Sequence, residues 1–297
     1  MAGERKYWFL LIAGSILLLA EAAINLLLSP PASPQTVSKG ALVVSRVGQV
    51  EWRRSGSDSW QPLSLGARLS EGNEIRTGQF SEAGLLVSGA STITVGANTN
   101  FVIGSEIASS VSFELGTGQV DASIKEQQDR RYLFRSQESD ALASTNQGEF
   151  QLSSDGRGLV VLDTRQGEVE LSAAGKSVRL TRGQRSTVKP GAPPSEAAAI
   201  PASITLQVRW PPAKLDRTQV QVAGKTTAGS SVTINGIVIR ADAEGNFVAE
   251  VPLREGSNKL VVSATDNAGN TMIKESGELQ VSTRPPRIEI DAKDLWK

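Results

Sequence analysis

The side chains of this 297-residue sequence that could do chemistry are acidic and amide groups near predicted turns. They form two sets: Asp242, Glu244 and Asn246, and Asp266, Asn267 and Asn270. Their oxygen atoms are of the kind that calcium binds, but neither set completes an EF-hand loop. Asp, Asn and Gly are also the residues that tight hairpin turns require. We therefore expect turn chemistry at both places, with calcium binding as the alternative.

The sequence contains no cysteine and no histidine. The absence of cysteine excludes disulfides, thiol catalysis and thiolate metal sites. The absence of histidine removes the side chain that most often serves as a general base or a metal ligand. A glycan-active enzyme would still need two carboxylates facing each other across a cleft, and the acidic residues form no recognisable pair. We predict no catalytic residue, no metal site and no cofactor, and hence a protein that is not an enzyme.

The charges of the chain are balanced, with 31 Lys plus Arg against 31 Asp plus Glu. A nucleic-acid-binding domain usually carries a clear basic excess. We therefore predict no nucleic-acid partner. The 28 glycines and the scarcity of helical patterns favour a mainly β fold.

Three residues are weak candidates for contact with a ligand: Trp52, Trp60 and Thr77. The tryptophans flank the polar loop RRSGSDS, where a ring could bind a sugar or a protein, or pack at a strand end. The Thr77 hydroxyl could touch a ligand or could instead staple a turn. The neighbouring pair Arg53-Arg54 is expected to lie solvated at a turn end.

The amino terminus carries one long apolar run, Tyr7–Leu28. As a helix its 22 residues would span roughly 33 Å, close to the ~30 Å hydrocarbon core. Arg5 and Lys6 precede it, so the positive-inside rule keeps residues 1–6 in the cytoplasm and exports the rest. We predict an uncleaved signal anchor in the inner membrane, with the lipid bilayer as its partner, followed by a Pro/Ser tether over 29–40.

Two other interpretations of the apolar run remain open. In one, Tyr7–Leu19 is the apolar region of a cleavable signal peptide and Ala20-Glu21-Ala22 is its cleavage site. In the other it is a buried core helix, although such a helix would normally show a polar face. The first of these still exports the remainder of the chain.

From Ala41 the sequence changes to short alternating segments separated by glycine turns, the pattern of half-buried strands. One phrase recurs, as GQVE at 48–51, GQVD at 118–121, GEFQ at 148–151 and GEVE at 167–170. In each we expect a glycine turn to lead into a strand whose apolar third residue faces the core. The spacing is too uneven for a solenoid repeat and favours an irregular β-roll or sandwich of stacked hairpins.

A family resemblance rests on tryptophan, glycine and turn positions of this region. They are Trp60-Gln61-Pro62-Leu63, Gly66, Leu69, Glu71–Gly78, Ser81-Glu82-Ala83 and the strand pair LLVSGASTITV. In this order they resemble the FecR domain, with its W-x-P-L, x-G-D-x-I-x-T and S-x-A phrases and its strand, D-G-S turn and second strand. Residues 144–190 resemble the second half of that domain. The resemblance covers 41–190 and implies a FecR-like β-roll or sandwich. Two positions depart from the family pattern: Asn73 stands where the family has an Asp, and Ser88-Gly89-Ala90 stands in place of the D-G-S turn. Any role of those family carboxylates is therefore not carried over.

After a Pro/Ala linker at 191–203, residues 204–282 predict a second β domain. The pair Asn235-Gly236 between alternating apolar residues is a strong hairpin signal. The phrases G-x-x-V-x-I-N-G, D-x-x-G-x-F and A-x-D-x-A-G-N resemble a bacterial immunoglobulin-like domain. That resemblance implies an Ig-like β-sandwich serving as a spacer or a binding surface, followed by a tail at 283–297.

These elements together predict a non-enzymatic, membrane-anchored protein of the bacterial envelope. Its exported domains would serve binding, scaffolding or assembly, with an envelope protein or cell-wall glycan as partner. The alternative is transmembrane signalling, because FecR-type proteins regulate sigma factors. That role needs a cytoplasmic segment that contacts the sigma factor, and the six residues before Tyr7 are expected to be too few for it.

Overall fold

The computed structural model describes residues 39–126 and 130–283. The described part is mainly β, as predicted, and contains no α-helix. No helix within it is therefore long and apolar enough to cross a bilayer. The predicted anchor Tyr7–Leu28, nearly all of the tether and all but the first residue of the tail lie outside the described residues. The described residues, from Lys39 to Thr283, belong to one compact unit.

The first β sandwich contains eighteen strands. They are β1 (Ala41–Val47), β2 (Val50–Arg53), β3 (Gln61–Pro62), β4 (Arg68–Leu69), β5 (Glu74–Thr77), β6 (Glu82–Val87), β7 (Ser91–Val95), β8 (Asn100–Glu106), β9 (Ser110–Leu115), β10 (Thr117–Ile124), β11 (Arg131–Ser136), β12 (Leu142–Thr145), β13 (Gly148–Asp155), β14 (Val160–Gly167), β15 (Val169–Ala173), β16 (Lys176–Leu180), β17 (Gln184–Val188) and β18 (Ala198–Ala199).

These strands form two nine-stranded sheets around one core. One sheet has the order β18-β17-β14-β13-β10-β7-β6-β1-β4, and the other β16-β15-β12-β11-β9-β8-β5-β2-β3. The chain crosses back and forth between the sheets and advances along both in nearly sequence order. Almost every pair is antiparallel, the exception being β9 with β11. This arrangement agrees with the predicted irregular roll of stacked hairpins.

The recurring glycine phrases lead into strands as predicted. Their third residues are Val50, Val120, Phe150 and Val169, and each is at most 1% exposed. Alternation along a strand sends every second side chain to one face, so each phrase anchors a strand to the core. The same core holds a row of phenylalanine rings with centroids 5.0–5.5 Å apart.

The turns that depart from the FecR pattern still have turn geometry. Asn73 is buried, and its Oδ1 accepts a hydrogen bond of 3.0 Å from the Ser70 backbone amide. Ser88 and Gly89 both have positive φ angles, of 50° and 76°. The replacement residues therefore preserve the turns, as the sequence predicted.

The second β sandwich contains ten strands. They are β19 (Leu206–Arg209), β20 (Lys214–Leu215), β21 (Gln219–Thr226), β22 (Ser231–Ile234), β23 (Ile237–Arg240), β24 (Asn246–Pro252), β25 (Gly256–Asn258), β26 (Val261–Thr265), β27 (Thr271–Glu275) and β28 (Leu279–Val281).

Three small sheets enclose the core of the second sandwich, in the orders β19-β21-β24, β20-β28-β25 and β23-β22-β26-β27. The predicted hairpin at Asn235-Gly236 joins β22 to β23. Both turn residues have positive φ, 45° and 92°, as the Asn-Gly hairpin turn requires. The buried apolar residues of the two sandwiches form two separate clusters.

The predicted linker at 191–203 is partly ordered against the first sandwich. Ala198–Ala199 forms strand β18, which pairs with Gln184 and Arg185 of β17. The Ser186 hydroxyl also donates a hydrogen bond of 2.7 Å to the carbonyl of Ser195. This segment therefore extends the first sheet before the chain enters the second sandwich.

Candidate functional site

Thr77 lies at the end of β5 and is 7% exposed. Its Oγ1 donates a hydrogen bond of 2.5 Å to the Gly96 carbonyl and accepts one of 2.9 Å from the Thr99 amide. The hydroxyl thereby joins β5 to the turn that precedes β8. Both of its hydrogen-bonding functions are used inside the protein.

The two tryptophans lie on opposite sides of the β2–β5 pair. Trp52 stands opposite Ile75 and packs against the first core. Trp60 lies over the outer side, where its ring centroid is 4.7 Å from the guanidinium of Arg53 and 4.2 Å from that of Arg76. Cations over an aromatic face are attracted by its quadrupole, so the two arginines already occupy the surroundings of this ring.

The same two arginines form ion pairs across the strands. Arg53 lies 2.6 Å from Glu74, and Arg76 lies 2.7 Å from Glu51. The expectation that Arg53 is a solvated turn end was wrong, because this residue belongs to β2 and is held by its cross-strand neighbour. The sequence signal was the alternation of charges on β2 and β5, which places opposite charges side by side once the register is known.

The two sets of turn carboxylates bind their own backbone. Asp242 Oδ1 accepts hydrogen bonds from the amides of Glu244 (3.0 Å) and Asn246 (2.7 Å). Asp266 Oδ1 likewise accepts one of 2.9 Å from the Asn270 amide. Turn chemistry is thus what the structure shows for Asp242 and its neighbours and for Asp266 with Asn270, whereas the Asn267 amide bonds outside its turn. Across residues 39–126 and 130–283, no group of three or more acidic side chains is placed to hold a metal ion.

A row of polar side chains crosses the outer face of the first sheet. Asp121, Gln151, Asp163 and Arg185 stand opposite one another on neighbouring strands. Asp163 and Arg185 form a bidentate pair with two contacts of 2.6 Å, and the aspartate side chain is 1% exposed. Two-point pairing of this kind is the strong form of the Arg–carboxylate interaction.

Asp121, at the other end of this row, is held by Arg165 at 2.8 Å. Burial raises the pKa of the Asp121 carboxyl above its usual 3.8, and the charge of Arg165 opposes that rise. The row therefore contains two carboxylates, but each is bound to its own arginine. Neither is positioned as a free general acid or base.

The second sandwich covers part of this outer face. Ser153 and Val161 point outward from β13 and β14, yet they are 1% and 3% exposed. Asn267 Nδ2 donates a hydrogen bond of 2.7 Å to Ser153 Oγ. Gly229 comes so close that a Cβ there would lie 3.1 Å from a methyl group of Val161. The two sandwiches thus share a tight, buried interface.

A cleft of about 790 Å³ opens beside this interface. The first sandwich supplies one wall with Ala97, Asn98, Thr117, Gln119, Asp155 and Arg157. The second supplies the other wall with Ser231, Val238, Ile239, Arg240, Asp242, Asn246, Phe247, Val248 and Thr265. Its size is that of a ligand site, and both sandwiches are needed to form it.

Arg240 is the partly buried cation of the cleft. One of its terminal nitrogens, Nη1, donates a hydrogen bond of 2.8 Å to the Gly229 carbonyl. Burial lowers the pKa of its guanidinium to about 10, and the Asp155 carboxylate offsets part of that effect. The side chain remains charged at neutral pH. Among the described residues, none forms an ion pair with it.

Sequence reasoning did not find the interface or the cleft, and the structure does not place Trp52, Trp60 or Thr77 in the cleft lining. One signal was available. Leu159 to Leu162 form an unbroken apolar run, whereas a strand with one solvated face alternates. Such a run indicates a strand that is covered on both faces.

Comparisons with known proteins give weak similarities. No family model matches the sequence, and no curated protein matches it. A candidate anti-sigma factor of Parabacteroides distasonis is 16% identical, with a TM-score of 0.35 over 38% of this chain and 53% of that one. The chain thus spans about half the length of that structure.

Two further solved structures are similar at a lower level. Fibronectin(III)-like modules of Clostridium thermocellum CbhA are 14% identical, with a TM-score of 0.24 over 64% of this chain and 99% of theirs. An ice-binding adhesin of an Antarctic bacterium is 14% identical, with a TM-score of 0.20 over 83% of this chain and 70% of its own. At these scores none of the similarities assigns the chain to a family.

Proposed function

We propose that this protein is a non-enzymatic, membrane-anchored component of the bacterial envelope, whose two β sandwiches act together as one binding body. In this proposal Tyr7–Leu28 is the anchor and the short amino end is cytoplasmic. The sandwiches, FecR-like and Ig-like in their sequence phrases, lie in the periplasm or extracytoplasmic space. Their partner is another component of the envelope.

The cleft between the sandwiches carries the binding role. A spacer needs only end-to-end attachment, whereas here the Asn267–Ser153 bond and the buried Val161 fix one sandwich against the other. Because the two sandwiches are held in one relative position, the two walls of the cleft are already in place before a ligand binds. Preorganisation of this kind reduces the ordering cost of binding.

The non-enzymatic part of the proposal is supported by the state of the carboxylates. Asp163 and Asp121 are bound to arginines, and Asp242 is bound to turn amides. A general acid or base must instead be within reach of the substrate proton that it transfers. Sigma-factor signalling, the alternative from sequence, has no specific support in this geometry.

Photo-crosslinking in intact cells tests the binding role. A photoreactive side chain at Thr117 would face the cleft, and one at Thr92 is the matched control, since Thr92 is also exposed and lies outside the cleft lining. We expect an adduct with an envelope component from position 117 and none from position 92. Equal adducts from both positions, or none from either, would contradict the proposal.

A further inference from the structure

We infer that the cleft binds an extended, acidic segment of a partner protein, which pairs with an open strand edge of the second sandwich and sets a carboxylate against Arg240. This inference rests on the proposed binding function and specifies the chemistry of the partner. Three features of the cleft carry it: a guanidinium with unused donors, carboxylates that are already engaged, and two strand edges with free backbone groups.

The first feature is the Arg240 guanidinium. It has five N–H donors, and the protein uses Nη1 for a single bond, to the Gly229 carbonyl. Arg240 lines the cleft, and among the described residues no second acceptor engages its guanidinium. A planar guanidinium binds a carboxylate at two points, and partial burial strengthens that attraction. The exposed Arg157 stands on the opposite wall and adds a second positive charge.

The second feature is the engagement of the two aspartates that line the cleft. Asp155 Oδ1 accepts hydrogen bonds of 2.8 Å from the Arg157 amide and 3.0 Å from the Leu159 amide. Both oxygens of Asp242 are likewise used within its own turn, by Glu244 and Asn246. These aspartates hold their turns together but keep their negative charges, and that of Asp155 also acts on Arg240. Two aspartates and two arginines thus line the cleft, so what it offers a carboxylate is hydrogen-bond donors rather than an excess of positive charge.

The third feature is the free edge of β24, which pairs only with β21 among the described residues. The Thr226 amide bonds to the Gly245 carbonyl, and the Leu253 amide to that of Thr218. Antiparallel strands alternate between bonded and non-bonded pairs. This register makes the backbone groups of Val248 and Glu250 face away from β21, toward the open side.

The edge of β23 is free in the same way. The Ala241 amide bonds to the Ser230 carbonyl, so alternation turns the backbone groups of Val238 and Arg240 away from β22. Val238, Arg240 and Val248 all line the cleft. An extended peptide can add a strand to such an edge through main-chain hydrogen bonds.

These features favour a peptide over a glycan. The exposed apolar side chain of the cleft is Val248, at 54%, which suits an alternating apolar and acidic segment. Phe247 is the aromatic residue among those that line the cleft, and it is 3% exposed within the second core. Its ring therefore offers no open face for a sugar to stack on.

The test uses the full-length protein in detergent micelles and a capped peptide of alternating valine and glutamate, with affinity measured by calorimetry. Two other probes are the peptide with glutamine for glutamate and an oligomer of galacturonic acid. The main variant is R240Q, and R209Q is its matched control, because Arg209 is an exposed strand arginine outside the cleft. Thermal melting checks that each variant is folded.

We expect the glutamate peptide to bind, and R240Q to weaken it by about tenfold or more, as the loss of a charge-assisted bond predicts. R209Q should bind the glutamate peptide with unchanged affinity. The glutamine peptide should bind the native protein weakly, with about the affinity that R240Q has for the glutamate peptide. If R240Q fails to fold, V248P replaces it. Proline there removes an outward amide from an edge strand, a position that tolerates it, and should also weaken binding.

Several results would overturn the inference. They are no binding of the glutamate peptide, equal affinity in R240Q and R209Q, or tighter binding of the galacturonate oligomer than of the peptide. The proposed function fails separately, in the crosslinking experiment. Crosslinks from position 117 without peptide binding would leave the binding role standing and reject the acidic segment as its ligand.

Discussion

The side-chain amide of Asn267 donates a hydrogen bond of 2.7 Å to the hydroxyl of Ser153, and so joins two sandwiches across 114 positions of the chain. Both side chains are buried, at 6% and 1% exposure. A buried polar group that loses its partner keeps the cost of leaving water. The bond therefore stabilises one particular contact between the sandwiches.

Replacing Asn267 should weaken this contact measurably. We expect N267A to lower the free energy of unfolding by about 1–3 kcal/mol, because the Ser153 hydroxyl would stay buried without its partner. Denaturant unfolding of the full chain measures the loss. The exposed Asn146 supplies the control, since N146A should change stability by less than about 0.5 kcal/mol. Equal effects of the two substitutions would show that the interface bond contributes nothing.

The buried pair of Asp163 and Arg185 should be more sensitive. D163N leaves the guanidinium without its bidentate partner, which costs about 3–5 kcal/mol for a buried pair. The exposed pair of Glu168 and Arg179 is the comparison, with side chains 53% and 69% exposed. There E168Q should cost at most about 1 kcal/mol. Urea midpoints of the two variants test this, and a smaller shift for D163N than for E168Q would refute the assigned role.

The raised pKa of Asp121 predicts a pH dependence of known sign. In the folded protein burial raises the pKa of this carboxyl above its usual 3.8, so the folded state holds the proton more tightly than the unfolded state. Its contribution to stability is full below pH 3.8 and is lost as the pH rises through the folded value. D121N removes this titration. The stability of D121N relative to the native protein should therefore increase from pH 3.5 to pH 7, and a difference that is constant or falls would contradict the shift.

Thr77 should act through its hydroxyl alone. T77V keeps the shape of the side chain but leaves the Gly96 carbonyl and the Thr99 amide without a partner, at a cost of about 1–3 kcal/mol. Thermal unfolding measures this loss, and T92V at an exposed strand position should be close to neutral. If T77V is as stable as the native protein, the hydrogen bonds of the Thr77 hydroxyl do not explain why a threonine stands at this position. A contact between Thr77 and a ligand then becomes the better interpretation.

Local patterns predicted the strands well, because each strand pattern is set by a few neighbouring residues. The phrase GEFQ gave a strand with Phe150 in the core, and Asn235-Gly236 gave a hairpin turn with positive φ at both positions. Turn geometry and alternation are short-range effects, so a single sequence contains them.

The interface and the cleft depend on long-range packing, and the sequence alone did not reveal them. Nothing near Asn267 indicates that its amide leaves its own turn for Ser153 in another sandwich. Arg240 appears in the sequence as an ordinary charge at the end of a strand. Arg240 lines the cleft only because the second sandwich packs against the outer face of the first, and the sequence does not show that packing.

Protease treatment of sealed spheroplasts carrying the full chain tests the central claim most directly, since it reports the location and the unity of the two sandwiches together. The account predicts that protease added outside releases one resistant fragment that contains both sandwiches. Complete protection of the chain would place the sandwiches on the wrong side of the membrane. Two fragments, cut between positions 191 and 203, that separate on gel filtration under native conditions would show that they do not act as one body.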